Sequence, residues 1–143
     1  MDDAHHRKLE RLYETAPISK WFGSTIVIAD GESEVRIPVK PEFHHSANAV
    51  HGSVYFRALD DAAFFAVNSR VQDVFVLTVS FTVHLTRPVT SGELRAKGRL
   101  LHASGRLFVA ESTLVDGQGQ ILGHGSGVFT RSAIALDPSI GYA

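Results

Sequence analysis

A chain of 143 residues with 44% hydrophobic and 20% charged residues has the makeup of one folded, soluble domain, not of a disordered or fibrous protein. Its 14 basic and 15 acidic side chains leave a net charge of -1, without the basic excess that binding to a nucleic-acid backbone demands. The absence of cysteine removes disulfides, thiolate nucleophiles, iron–sulfur clusters and cysteine-type zinc sites, and fits a reducing compartment.

From Asp3 to Thr15, Leu9, Leu12 and Tyr13 form a thin apolar stripe among charges, which predicts a short helix ended by Ala16-Pro17. Residues 18–22 read as an apolar lead-in anchored by Trp21. Two β runs, 25–29 and 32–39, flank Asp30-Gly31, a strong hairpin signal. Pro38 cannot donate to a ladder, so that end belongs at an edge or a bulge. A polar loop over 40–50 leads into a long helix over 51–68, apolar almost all round and therefore buried. Four strands follow, at 74–86, 93–103, 107–116 and 121–131, separated by turn residues. In the first of them Phe75, Leu77, Val79, Phe81, Val83 and Leu85 alternate with polar residues, so Thr78 is expected on the face turned away from a packed helix. The tail, 132–143, has no clear pattern.

The sum is an α+β chain: a curved antiparallel sheet wrapped around one long central helix, with a short N-terminal helix. The expected division is one domain over 1–143, with a lead-in at 1–23, a core at 24–131 and a tail at 132–143. The most apolar stretch is broken by Arg57, Asp60 and Asp61, and the charged N-terminus has no export signal. A cytoplasmic protein without a membrane or nucleic-acid partner is the expectation.

Asp60-Asp61 is the anomaly of the apolar helix, because a buried charge without a partner costs several kcal/mol. One reading turns one carboxylate to solvent and caps or pairs the other with Arg57. The other holds a carboxylate in a partly desolvated cleft as a base or nucleophile. The helix start, Asn48 to Ser53, offers free N–H groups and a partial positive charge, and Gly52 lets a substrate approach the backbone. Such N–H groups stabilise an oxyanion; the alternative is ordinary capping by Asn48 or a neighbour. Gly52 and Asp60 are about 12 Å apart along a helix, so one chain cannot bring both to the same carbonyl carbon. If both act, the carboxylate comes from a second subunit.

Of the eight histidines, His44, His45 and His51 cluster before the helix, but no HExxH or comparable metal spacing occurs, and no metal is expected. His5 and His6 are expected to be solvated, and His84, His102 and His124 structural. Ser126 between two glycines lies inside a strand and is no nucleophile elbow.

His51-Gly52-Ser53, then Val54 to Asp60 and Ala62-Ala63, resembles the His-Gly-Gly…Ala-Asp…Ala signature of hotdog-fold thioesterases, above all the phenylacetic-acid-pathway thioesterase-like family. The segment Leu77-Thr78-Val79-Ser80-Phe81, with Arg87-Pro88 and Gly92-Glu93-Leu94 after it, is similar to a second pattern of that family. Gly105-Arg106 and Asp116-Gly117-Gln118-Gly119 match two of its turns, and the resemblance covers about residues 24–130.

The resemblance implies the hotdog fold, a homodimer or a dimer of dimers, and hydrolysis of acyl-CoA thioesters with CoA as part of the substrate and no separate cofactor. It assigns carbonyl polarisation to the Gly52 amide, base or nucleophile to Asp60 of the facing subunit, and water holding to Thr78. Ser53 replaces the second Gly, and His45 stands where an Asn usually lies, with Asn48 as its substitute after a loop shift. His51, Asn48 and Ser53 are candidates for substrate contacts, as are Arg87, Arg106 and Lys97 for the CoA phosphates. Tyr55, Phe56 and Phe64 either line an acyl slot or are plain core. The rivals are a 3-hydroxyacyl-thioester hydratase or dehydratase pairing His51 with Asp60, and a non-catalytic acyl-CoA-binding module.

Overall fold

Pro17 has no N–H to continue a helical ladder, so the chain breaks before it and starts again. Helix α1 covers Asp3–Thr15 and α2 covers Pro17–Phe22 in the computed structural model, which describes residues 3–143. The expected lead-in at 18–22 is therefore a helical turn begun by Pro17. The hairpin follows as expected. Strands β1 (Thr25–Ala29) and β2 (Glu32–Pro38) meet at Gly31, whose φ of +72° is the left-handed conformation that glycine adopts without strain.

Helix α3 (Gly52–Asn68) precedes β3 (Val74–Leu85), β4 (Glu93–Ser104), β5 (Leu107–Val115) and β6 (Ile121–Ala135). The strands form one six-stranded antiparallel sheet in the order β1-β2-β4-β5-β6-β3. β3 is thus an edge, although it follows α3 directly in sequence. The sheet curls around α3, whose Val54, Ala58, Leu59, Ala62, Ala63, Ala66 and Val67 are buried. Small residues make the approach close: a Cβ on Gly98 of β4 would overlap the Ala62 carbonyl. Hydroxyls complete the grip, with Ser33 Oγ donating to Ala62 O at 2.6 Å and Ser112 Oγ to Leu59 O at 2.7 Å.

Two expectations are corrected. The alternation along β3 does not make a single apolar face, because the pairing with β6 slips between Thr78 and Ser80. This bulge reverses the side-chain parity. Val76 and Thr78 face α3 before it, Phe81 and Val83 pack on the core after it, and Leu77 and Val79 are exposed. His5 and His6 are buried, not solvated. The last carbonyls of a helix need donors from outside it. His5 Nε2 lies 2.9 Å from Asn68 O and His6 Nε2 3.3 Å from Ser69 O, which docks α1 on the end of α3. His5 Nδ1 lies 2.7 Å from the Tyr142 hydroxyl, so the tail also has a seat, and β6 runs on to Ala135, past the expected end at 131. His84 and His102 are exposed on their strands. No helix among the described residues is long and apolar enough to cross a membrane.

The close seat of β4 on α3 gives a stability prediction. Gly98→Val forces side-chain carbons against the helix backbone and is expected to cost at least about 3 kcal/mol, read as a lowered urea midpoint. An unchanged midpoint would show that the sheet can lift from the helix freely.

Candidate active site

The start of α3 is built by His51. Its backbone is extended (φ -65°, ψ 144°), and its Nδ1 accepts the Ser53 N–H at 3.0 Å, with Ser53 Oγ 2.9 Å away. His51, not Asn48, is therefore the cap, with Nδ1 as the accepting atom. Asn48 is exposed in a turn of its own at φ +64°, donating its N–H to His45 O at 3.0 Å. Gly52 is the first helical residue, and among the described residues no acceptor takes its N–H. It opens on a shallow cleft of about 330 Å³ lined by His45, Val50, Gly52, Tyr55, Leu85 and Arg87. Tyr55 donates its hydroxyl to Arg87 O at 2.8 Å and fixes that wall. His45 Nδ1 accepts from Ala47 N–H at 3.0 Å, its ring 6.4 Å from that of His51. His44 is engaged elsewhere, with Nε2 3.0 Å from Thr90 O.

Two turns along α3 the neighbouring carboxylates have different surroundings. Asp60 accepts the Thr78 hydroxyl at 3.0 Å on Oδ1. Burial raises its pKa, against smaller lowering effects from Thr78 and the charge of Arg57. The β3 bulge is what brings Thr78 here. Asp61 turns inward, with its side chain 16% exposed, accepting from the Tyr13 hydroxyl at 2.7 Å and lying 3.5 Å from Arg57. Burial pushes it up to about 6, opposed by Arg57 and Tyr13 and reinforced by the charge of Asp60. Arg57 also donates to Ser19 Oγ at 3.0 Å and Ser24 Oγ at 3.3 Å, and lies 4.6 Å above the Phe22 ring. The paired-carboxylate reading therefore holds for Asp61, whereas Asp60, among the described residues, has the Thr78 hydroxyl as its one hydrogen-bonding neighbour. The role of Tyr13, Ser19 and Ser24 as ties from α1 and α2 to α3 was not legible; only the place of Tyr13 on the α1 stripe hinted at it.

The candidate residues fall into two groups within one chain. His45, Asn48, His51, Gly52, Ser53 and Arg87 gather at the start of α3. Asp60 and Thr78 form the other group. Arg106 joins neither group by contact: it lies in the exposed β4–β5 hairpin, whose Leu107 is separated from Leu77 by Thr130 of β6. The gap between the groups is about 12 Å along the helix.

A family model described as the thioesterase superfamily matches residues 47–122, a span that includes both groups except His45. The chain belongs to the thioesterase superfamily. Its hotdog architecture is shared with the E. coli PaaI protein from the phenylacetic acid degradation operon, at 21% identity and a TM-score of 0.84, over 92% of this chain and 96% of that one. A conserved protein of Pseudomonas aeruginosa matches at 26% identity and a TM-score of 0.79, over 85% of this chain and 98% of that one. A thioesterase of Haemophilus influenzae matches at 15% and 0.78, over 87% and 88%. No curated protein matches the sequence.

In this thioesterase-superfamily chain the buried acid makes stability depend on pH. Asp61 holds its proton more tightly in the folded chain (about 6) than at its ordinary value of 3.8. Its contribution to stability is therefore present below about pH 4 and is lost as pH rises through 6. Between pH 7 and pH 4 the wild type is expected to gain about 2–3 kcal/mol relative to Asp61→Asn in parallel urea titrations. A difference of the opposite sign would mean that the ion pair with Arg57 outweighs burial.

Proposed function

We propose that the chain hydrolyses acyl-CoA thioesters to the free acid and CoA, in sites that two copies build together. One observation carries this reading: a desolvated carboxylate, Asp60, and an untaken N–H at a helix start, Gly52, lie on one uncovered stripe of α3 but too far apart to act together. Reacting groups must come within about 3 Å of the atoms they serve. An isologous two-fold dimer solves this by setting Gly52 of one copy against Asp60 of the partner subunit, twice. The edge strand β3, with Leu77 43% and Val79 60% exposed, is the surface for such a contact.

The chemistry follows from the placement. The thioester oxygen accepts the Gly52 N–H, where the positive end of the helix favours the charge that develops. Thr78 occupies Asp60 Oδ1, leaving Oδ2 to take a proton from water. The water oxygen bonds to the carbonyl carbon, the C–S bond breaks, and the CoA thiolate recovers the proton from Asp60. Burial raises the basicity of Asp60, which suits it to this shuttle. His45 and His51 flank the carbonyl end, with Asn48 and Ser53 near them. Arg87 and Arg106 are exposed and, among the described residues, have no carboxylate partner, so both are open to CoA phosphates. The scheme uses no metal and no separate cofactor.

The test measures free thiol released from a panel of acyl-CoAs, with arylacetyl thioesters included because of the origin of the E. coli neighbour. Asp60→Asn is expected to lose about 100-fold or more in turnover. Gly52→Val, whose side chain meets Leu85, is expected to be inactive too. Unfolding the two variants together and refolding them at equal amounts should restore about a quarter of wild-type activity, since half the dimers are mixed and each mixed dimer has one intact site. Failure of the mixture to recover would sink the shared site, and full activity of Asp60→Asn would remove Asp60 from the reaction. Loss of enoyl-CoA absorbance without thiol release would assign a hydratase instead.

A further inference from the structure

Between Gly52 and Asp60, on the same stripe of α3, stands Phe56. A two-fold axis that pairs residue 52 with residue 60 of the partner brings the midpoint, Phe56, to its own copy. Of Tyr55, Phe56 and Phe64, only Phe56 is exposed, at 39%. Tyr55 is held by Arg87 O, and Phe64 is packed among Phe65, Phe75 and Phe129. An acyl chain leaving a carbonyl held by Gly52 therefore meets Phe56 as its nearest exposed aromatic surface on the helix.

Phe56 is backed by Phe81 of β3, ring centroids 5.6 Å apart and planes at 85°, an edge-to-face contact. The β3 bulge turns Phe81 to this side. Its ring is seated where β6 has no side chains: a Cβ on Gly125 would lie 2.5 Å from Phe81 Cε2, and one on Gly127 would overlap Phe81 Cδ1. The fully buried Phe129 supports it from below, at 6.2 Å. One aromatic ring thus fills a trough made by two alternate glycines, beside the uncovered helix stripe.

We infer that Phe81, seated on Gly125 and Gly127 against Phe56, sets the length of acyl chain that the site accepts. The assignment rests on the hydrolase reading above. With the ring in place the site takes compact acyl groups, and an extended chain has no trough to enter. A smaller side chain at 81 opens the trough along β6 directly behind Phe56. Apolar length then becomes binding energy, as each methylene fitted into an apolar pocket is worth tenfold or more.

The experiment compares kcat/KM for acetyl-, butyryl-, octanoyl- and dodecanoyl-CoA in the wild type, Phe81→Leu, Phe81→Ala and Gly125→Ala, each checked by thermal melting. The wild type should favour the short chains. Phe81→Leu, the milder change, should raise the dodecanoyl-to-butyryl ratio by about tenfold, and Phe81→Ala by more. Gly125→Ala pushes the ring toward Phe56 and should lower the butyryl-to-acetyl ratio. A folded Phe81→Leu with the wild-type order across an active panel overturns the role of Phe81 alone. A wild type that releases thiol from no member of the panel overturns the hydrolase reading and this inference with it.

Discussion

The close approach of the sheet to α3 governs the rest of the molecule. Alanines on the helix and Gly98 on β4 let the two backbones nearly touch, and the Ser33 and Ser112 hydroxyls bond helix carbonyls across the gap. A helix held so tightly is buried on almost every side. In α3 only residues 52, 53, 56, 57, 60 and 61 escape full burial. That stripe carries the polar features: the Gly52 N–H, which no acceptor among the described residues takes, the two carboxylates and Arg57. The position of the candidate site follows from packing, since it occupies the part of α3 that the sheet leaves uncovered.

Adjacent carboxylates on this stripe meet opposite solutions to one electrostatic problem. Asp61 has a cation and a phenol as partners, and its Arg57 is itself anchored by two serines and an aromatic face. Removing one member of such a group leaves the others buried and unpaired, which is why the set works as a tie between α1, α2 and α3. Among the described residues Asp60 receives one hydroxyl, and burial still outweighs that bond and the charge of Arg57. A carboxylate in that condition gains from any proton donor that reaches it, water included. Clamping Asp61 fixes the turn of α3 that also carries Asp60.

Much of this was legible in the sequence where local chemistry decides. The hairpin at Asp30-Gly31, the buried helix and the four long strands follow from turn residues and periodicity, and Gly52 and Asp60 stand out because each breaks an apolar pattern. What escaped was set by contacts distant in the chain. A bulge is invisible in an alternating strand, yet it moves Thr78 from the outer face to Asp60 and Phe81 to Phe56. His5 and His6 sit among charges in the sequence, but the exposed carbonyls at the end of α3, more than sixty residues away, draw them inside. Gly125 and Gly127 read only as glycines inside a strand, and their use as a ring seat depends on which strand lies beside β6.

The order of the sheet explains why the uncovered stripe lies at an edge. β3 follows α3 directly but pairs with β6, so it closes the sheet alongside the exposed side of the helix. An edge strand with unpaired backbone groups and outward apolar residues invites another strand. The bulge sharpens the contrast on β3: Leu77 and Val79 point outward while Thr78 points in. A second copy meeting this edge would cover the apolar residues and face the same helix stripe from the other side. Burial of an exposed edge and completion of a split pair of polar groups are then one event, and a chain that meets its own copy there gains apolar contact and a second half-site together.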